Sequence, residues 1–130
     1  MSDIEGVSHN GVRRIYRVLC HLAHCDGEVA SQERGYLDDF RRRFQIVDAE
    51  GTVLEAEGAA GQSLGVGRRP EERQLMIDTM IDVTMIDGVL STEEQERLAK
   101  FAVTFGLDKE TLAKKIVARI QGSGRKLRGN

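Results

Sequence analysis

The stretch His24-Cys25-Asp26-Gly27-Glu28-Val29-Ala30-Ser31-Gln32-Glu33, HCDGEVASQE, returns 61 residues later as Met85-Ile86-Asp87-Gly88-Val89-Leu90-Ser91-Thr92-Glu93-Glu94, MIDGVLSTEE. Read outward at that offset, Ile15 pairs with Met76, Leu19 with Met80, Leu22 with Val83 and Val29 with Leu90. Beyond the motif, Leu37 pairs with Leu98, Phe40 with Phe101, Phe44 with Phe105 and Ile46 with Leu107. Apolar positions matched over this many helical periods mark an internal duplication. The copies cover about 11–46 and 72–107, with a linker at about 47–69.

Each copy reads as helix, Asp-Gly turn, helix. Val12, Ile15, Tyr16, Leu19, Leu22 and Ala23 fall on one face of the first helix, and Arg13, Arg14, Arg17, His21 and His24 on the other. In the second copy, Pro70 suits a first helical position and Glu71 and Glu72 suit a positive helix end, so a helix is expected from Pro70 to Ile86. Ile77, Ile81 and Met85 add a further apolar stripe to it, as in a helix that is central or presents a face to a partner. Second helices are expected from Ser31 to Phe44 and from Ser91 to Phe105, and a closing helix from Asp108 to Gln121. The linker is rich in glycine, with room for a short helix at about Asp48 to Glu57 and an irregular stretch after it. No strand alternation is present. The expected fold is all-α: a compact bundle of about six or seven helices, from two pseudo-symmetric helix-turn-helix repeats, in one domain over 1–121. Residues 122–130, GSGRKLRGN, are expected to be a flexible basic tail.

In chemistry the turn resembles the second half of a calcium loop, where an acid and Gly are followed by an apolar anchor and a bidentate Glu. Asp26, Gly27, Val29 and Glu33 fit that order, as do Asp87, Gly88, Leu90 and Glu94. The positions of the two leading ligands hold Leu22 and His24 in one copy, Val83 and Met85 in the other. Two carboxylates in place of five or more oxygens leave at most a weakly bound divalent cation. Gly27 and Gly88 equally suit a left-handed residue past a helix end, and Ser91 with Glu94 a capping box. Asp26 and Asp87 lie on apolar faces at the unfavourable end of the helix dipole, so each needs a donor or a cation. Two partners are open to them: the amides that start the next helix, or a divalent ion shared between the copies.

Asp78 and Asp82, with Asp87, form an acidic edge, and at the 61-residue offset Asp78 faces Arg17 and Asp82 faces His21. Cys20, His21, His24 and Cys25 have helical spacing for metal ligands, but they share their helix with three arginines and lack a second Cys/His cluster. A solvated basic face is the reading preferred to zinc. The two cysteines are expected to be reduced, because neighbouring helical turns suit a disulfide poorly. No nucleophile elbow, phosphate loop or serine-histidine-acid arrangement is readable.

The chain has 130 residues, 40% hydrophobic and 31% charged, with a formal net charge of −2. This suits one soluble domain and gives no concentrated basic field for nucleic acid. No run is long and apolar enough to span a membrane, and the opening MSDIEGVSHN lacks the order of a signal peptide, so a cytoplasmic location is expected.

The doubled motif, AHCDGEVASQE and MIDGVLSTEEQERL followed by FAVTFGL, resembles the TerB-like family, which includes tellurite resistance protein TerB and the N-terminal domain of DjlA-type DnaJ-like co-chaperones. The resemblance spans about Gly11 to Ile120. It implies a bundle of two related halves, cytoplasmic and non-enzymatic, that acts in tellurite and stress resistance by sensing or binding metal near a membrane-associated protein partner. The matching acidic positions are Asp26, Glu33, Asp87 and Glu94; Glu28 has Val89 opposite it, so a symmetric site does not include it. No J-domain follows Gly122, and a co-chaperone role for this chain alone is not expected. The rival readings are a structural oligomerisation unit using the Ile77, Ile81, Met85 stripe and, less favoured, a metal-dependent enzyme.

Overall fold

The computed structural model describes residues 6–25, 27, 29–86 and 91–127, the last six as backbone alone. Six helices follow one another: α1 (His9–His24), α2 (Ser31–Arg43), α3 (Asp48–Ala59), α4 (Pro70–Thr84), α5 (Thr92–Thr104) and α6 (Lys109–Leu127). The fold is an all-α bundle, and no strand occurs among the described residues. None of its described helices is long and apolar enough to cross a membrane.

α1 is the axis. Ile15, Tyr16, Val18, Leu19 and Cys20 are wholly buried, and the helix packs most extensively on α3 and α4. α4 lies equally deep, with Met76, Met80, Ile81 and Val83 all buried. The stripe expected to offer α4 to a partner is also inside: Ile77, Ile81 and Met85 are buried within this one chain. An oligomer face on that stripe is therefore corrected. α1, α5 and α6 each pack on α4, which uses up its apolar circumference.

The repeat is visible in the hydrogen bonding. α2 ends with Phe44 and then Gln45 at φ +59°, while Ile46 donates back to the Arg41 carbonyl at 2.8 Å. α5 ends with Phe105 and then Gly106 at φ +66°, while Leu107 donates back to the Ala102 carbonyl at 2.7 Å. Both are left-handed C-caps with the same long-reach bond, at positions 61 apart.

Two expected boundaries differ. The linker contains α3, a full helix of 12 residues whose Leu54 joins the core, so the middle of the chain is a structural layer. α6 continues to Leu127, six residues past the expected break at Gln121. Each residue added to a formed helix gains a hydrogen bond, which carries it through weak formers such as Gly and Ser.

Candidate functional site

The Glu of each repeated turn begins as a cap. In the second copy Ser91 Oγ accepts from the Glu94 amide at 3.1 Å, and Glu94 Oε1 accepts from the Ser91 amide at 2.9 Å. The first copy makes half of this box: Glu33 Oε1 accepts from the Ala30 amide at 3.0 Å, and alanine has no oxygen to return. Gly27 takes φ +91° and its amide donates to the His24 carbonyl at 3.0 Å, closing the turn after α1. Asp26, Asp87 and Gly88 lie outside the described residues.

From these caps the two carboxylates converge. Glu33 and Glu94 line one small polar cavity with Leu22, Val83, Thr84 and Arg97. Its volume is about 10 Å³, room for one water or small ion at most. Leu22 with Val83 and Glu33 with Glu94 are two repeat-related pairs, so the copies meet here across their pseudo-symmetry. Arg97 brings a positive charge to the same wall. No group of three or more His, Cys, Asp or Glu among the described residues is arranged to hold a metal ion.

The acidic edge is neutralised from another side than expected. Lys115 Nζ donates to Asp78 at 2.7 Å, and Asp82 accepts from Arg119 of α6 and from the Tyr36 hydroxyl at 3.0 Å. Burial, and the Asp82 charge beside it, push the Tyr36 phenol above its ordinary range. Arg17 and His21, which the repeat offset placed opposite these aspartates, turn to α3. Arg17 donates to Glu57 at 2.9 Å and His21 Nδ1 to the Gly58 carbonyl at 3.0 Å.

The polar face of α1 is thus covered. Glu50 accepts from His9 at 3.2 Å and from Arg13 at 2.5 Å. Glu55 takes His24 Nε2 at 2.8 Å, Arg34 at 2.8 and 2.5 Å and Arg41 at 2.9 Å. Arg41 in turn donates from Nε to the buried Tyr16 hydroxyl at 2.5 Å. The cysteines and histidines of α1 are dispersed in the same way: Cys20 is in the core, Cys25 is exposed, and neither is in a disulfide. Burial pushes the Cys20 thiol up to about 12. Charge spacing alone does not announce these partners, because an acidic helix and a basic face each read as solvated. The signal was their complementarity: Glu50, Glu55 and Glu57 follow a helix whose polar face carries only cations.

A larger, open cleft of about 360 Å³ lies between the end of α1 and α5. Phe101 and Phe105, their ring centroids 5.4 Å apart, line it, with Arg97 and Lys100 one turn back on α5. Sequence reading did not find it, since Phe101 and Phe105 read there only as core positions.

The family model for the tellurite resistance protein TerB matches residues 13–115, most of the chain. The chain belongs to that family. No curated protein and no solved structure matches it.

Proposed function

We propose that this TerB-family chain is a non-enzymatic, cytoplasmic module of tellurite and stress resistance that acts through protein contacts and holds a divalent cation weakly where its two turns meet. One observation supports the reading above the others: Glu33 and Glu94, the repeated carboxylates, line a single cavity. Hard cations take oxygen ligands, six to eight for calcium, and magnesium keeps several waters. Two carboxylates, one of whose oxygens is already capping in each case, supply a fraction of that shell, and Arg97 opposes the charge. Affinity in the millimolar range is expected, with Asp26 and Asp87, the acids that open the same two turns, as the further candidate ligands.

The test is a titration with calcium, magnesium and zinc read by backbone amide shifts, in wild type and in the double variant Glu33→Gln, Glu94→Gln. Glutamine can still accept from the N-cap amide, so the caps survive while both charges go. Shifts at the two turns in wild type, lost in the variant, support the cation. Turns that stay silent at about 10 mM of each metal leave the carboxylates as caps only and defeat the reading.

A further inference from the structure

We propose that the cleft between the end of α1 and α5 binds a small organic anion, its apolar or aromatic body against Phe101 and Phe105 and its carboxylate, sulfonate or phosphate at Lys100 and Arg97. Five lining positions, 97, 100, 101, 104 and 105, follow the three-and-four spacing of one α5 face. The cations come first along the helix and the aromatic rings last. Lys100 and Phe101 are neighbours on that face, so a ligand that carries an anionic group on an apolar ring meets both at once.

The walls are built to keep that shape. Phe101 and Phe105 are half-buried, tilted against one another at 37°, and so fixed without being covered. The His21 ring stands edge-on to Phe101 at 5.5 Å. Its Nδ1 donates to the Gly58 carbonyl, an acceptor only, which fixes both the tautomer and the ring orientation. Leu64, from the connection after α3, supplies a further apolar wall. None of the described lining residues is an acid, and Lys100 and Arg97 bring positive charge to the cleft, Arg97 being shared with the cavity of Glu33 and Glu94. Its volume of about 360 Å³ lies within the range of small-molecule sites.

Neither half of such a ligand is expected to bind well alone. An exposed ion pair strengthens binding by at most about fivefold, too little to hold a bare carboxylate. An uncharged ring would bury apolar area but make no contact with the Lys100 charge and leave the orientation open. The combination distinguishes this proposal from general stickiness. It is independent of the cation reading, which concerns a different cavity, although Arg97 lines both.

The experiment compares 1-naphthoate, 1-naphthalenemethanol and acetate, with amide shifts and the alkylation rate of Cys25 by iodoacetamide as readouts. Cys25 is exposed and lines the cleft, while Cys20 is buried and serves as the internal control. Naphthoate is expected to bind about tenfold or more tightly than either other probe, shifting His21, Lys100 and Phe101 and slowing Cys25 alkylation. Lys100→Gln, an exposed substitution that leaves the core intact, should weaken naphthoate about fivefold and leave naphthalenemethanol unchanged. Equal binding of naphthoate and naphthalenemethanol, shifts confined elsewhere, or indifference to Lys100→Gln overturns the proposal. So does a response to phosphatidylglycerol vesicles without one to free naphthoate, which would make the face a lipid contact.

Discussion

Arg14 of α1 grips Glu72 of α4 with two parallel hydrogen bonds, Nε at 2.7 Å and Nη2 at 2.6 Å, on a carboxylate that is 1% exposed. The Gly67 amide adds a third at 2.5 Å. Gly11 and Gly67 make room for it: a Cβ on Gly11 would stand 2.7 Å from Glu72 Oε1, and one on Gly67 would collide with the same oxygen. The two central helices are thus locked by a buried ion pair beside their apolar seam.

Glu72→Gln should lower stability by about 3 kcal/mol, because breaking a buried pair strands the remaining charge. The lower part of the usual range applies, since Arg14 is one third exposed and can turn to water. Burial favours the neutral acid, yet the Arg14 and Gly67 hydrogen bonds outweigh it and hold Glu72 below its ordinary value. A depressed carboxylate contributes stability above its unfolded range and loses it as pH falls through the folded one. Urea unfolding of wild type and variant should therefore differ at pH 7 and converge as pH falls below the ordinary carboxylate range. A constant gap across pH would mean that Glu72 acts by shape alone.

The two repeat caps offer a paired test. Gln45 holds φ +59° where its counterpart Gly106 holds φ +66°. A left-handed backbone costs a residue with a Cβ about 1 to 2 kcal/mol, and glycine gives back part of that through unfolded-chain entropy. Gln45→Gly should stabilise by about 0.5 to 1 kcal/mol and Gly106→Ala should destabilise by about 1 to 2 kcal/mol. Opposite signs in thermal midpoints are the decisive outcome; the same sign for both would show that the caps are not equivalent.

What was legible in the sequence follows from which forces leave a pattern. The duplicated helices, their turns and the all-α bundle rest on apolar periodicity, and α2, α3, α4 and α5 lie within two residues of their expected limits. α3 reads in the sequence as a short helix within a linker rather than as a layer, because what holds it is largely charge: Glu50, Glu55 and Glu57 bond to α1 and α2, while Leu54 alone is a buried large apolar residue on it. The pairing of Arg17 with Asp78 failed for a related reason. Repeat symmetry relates the two halves, but α3 and α6 interleave with them, and each supplies the nearer counter-charge. Of the candidate site, the sequence singled out Glu33 and Glu94 and a site shared between the copies as one alternative, but not Arg97 on its wall. The aromatic cleft was hidden in residues whose spacing reads as core.

Gly58 is where α3 comes closest to α1. A Cβ there would strike the Arg17 carbonyl and stand 3.0 Å from the Cys20 Cβ, so backbone rather than a flexible side chain would have to move. Gly58→Ala should cost about 2 to 3 kcal/mol, the upper range for overpacking. Gly35 lies in the middle of α2 with nothing within 4 Å of an added Cβ. Gly35→Ala should gain about 0.5 to 1 kcal/mol from helix propensity. Chemical denaturation of both variants separates a steric from a conformational role for glycine. A tolerated Gly58→Ala would show that α3 can slide on α1.

Glu55 is the hub through which α3 holds α2. Arg34, Arg41 and His24 all reach it, and Arg41 extends the chain of contacts to the buried Tyr16 hydroxyl. The Arg34 hydrogen bonds, set against burial and joined by His24, bring the Glu55 carboxyl from 4.5 down to about 2. At about 1.4 kcal/mol for each pH unit, that shift represents on the order of 3 kcal/mol, fully present above the unfolded value and lost as pH falls toward the folded one. Glu55→Gln should lose about that amount at pH 7 and leave the Arg34 and Arg41 guanidinium groups around a neutral amide. Arg34→Gln should lose less, since Arg34 is 39% exposed and two partners remain. A double-mutant cycle measures their coupling, expected at about 1 kcal/mol or more because the pair is in direct contact. If the cycle closes at zero, or Arg34→Gln costs as much as Glu55→Gln, then α2 is held by its apolar face, Leu37, Phe40 and Phe44, and the charged hub only decorates it.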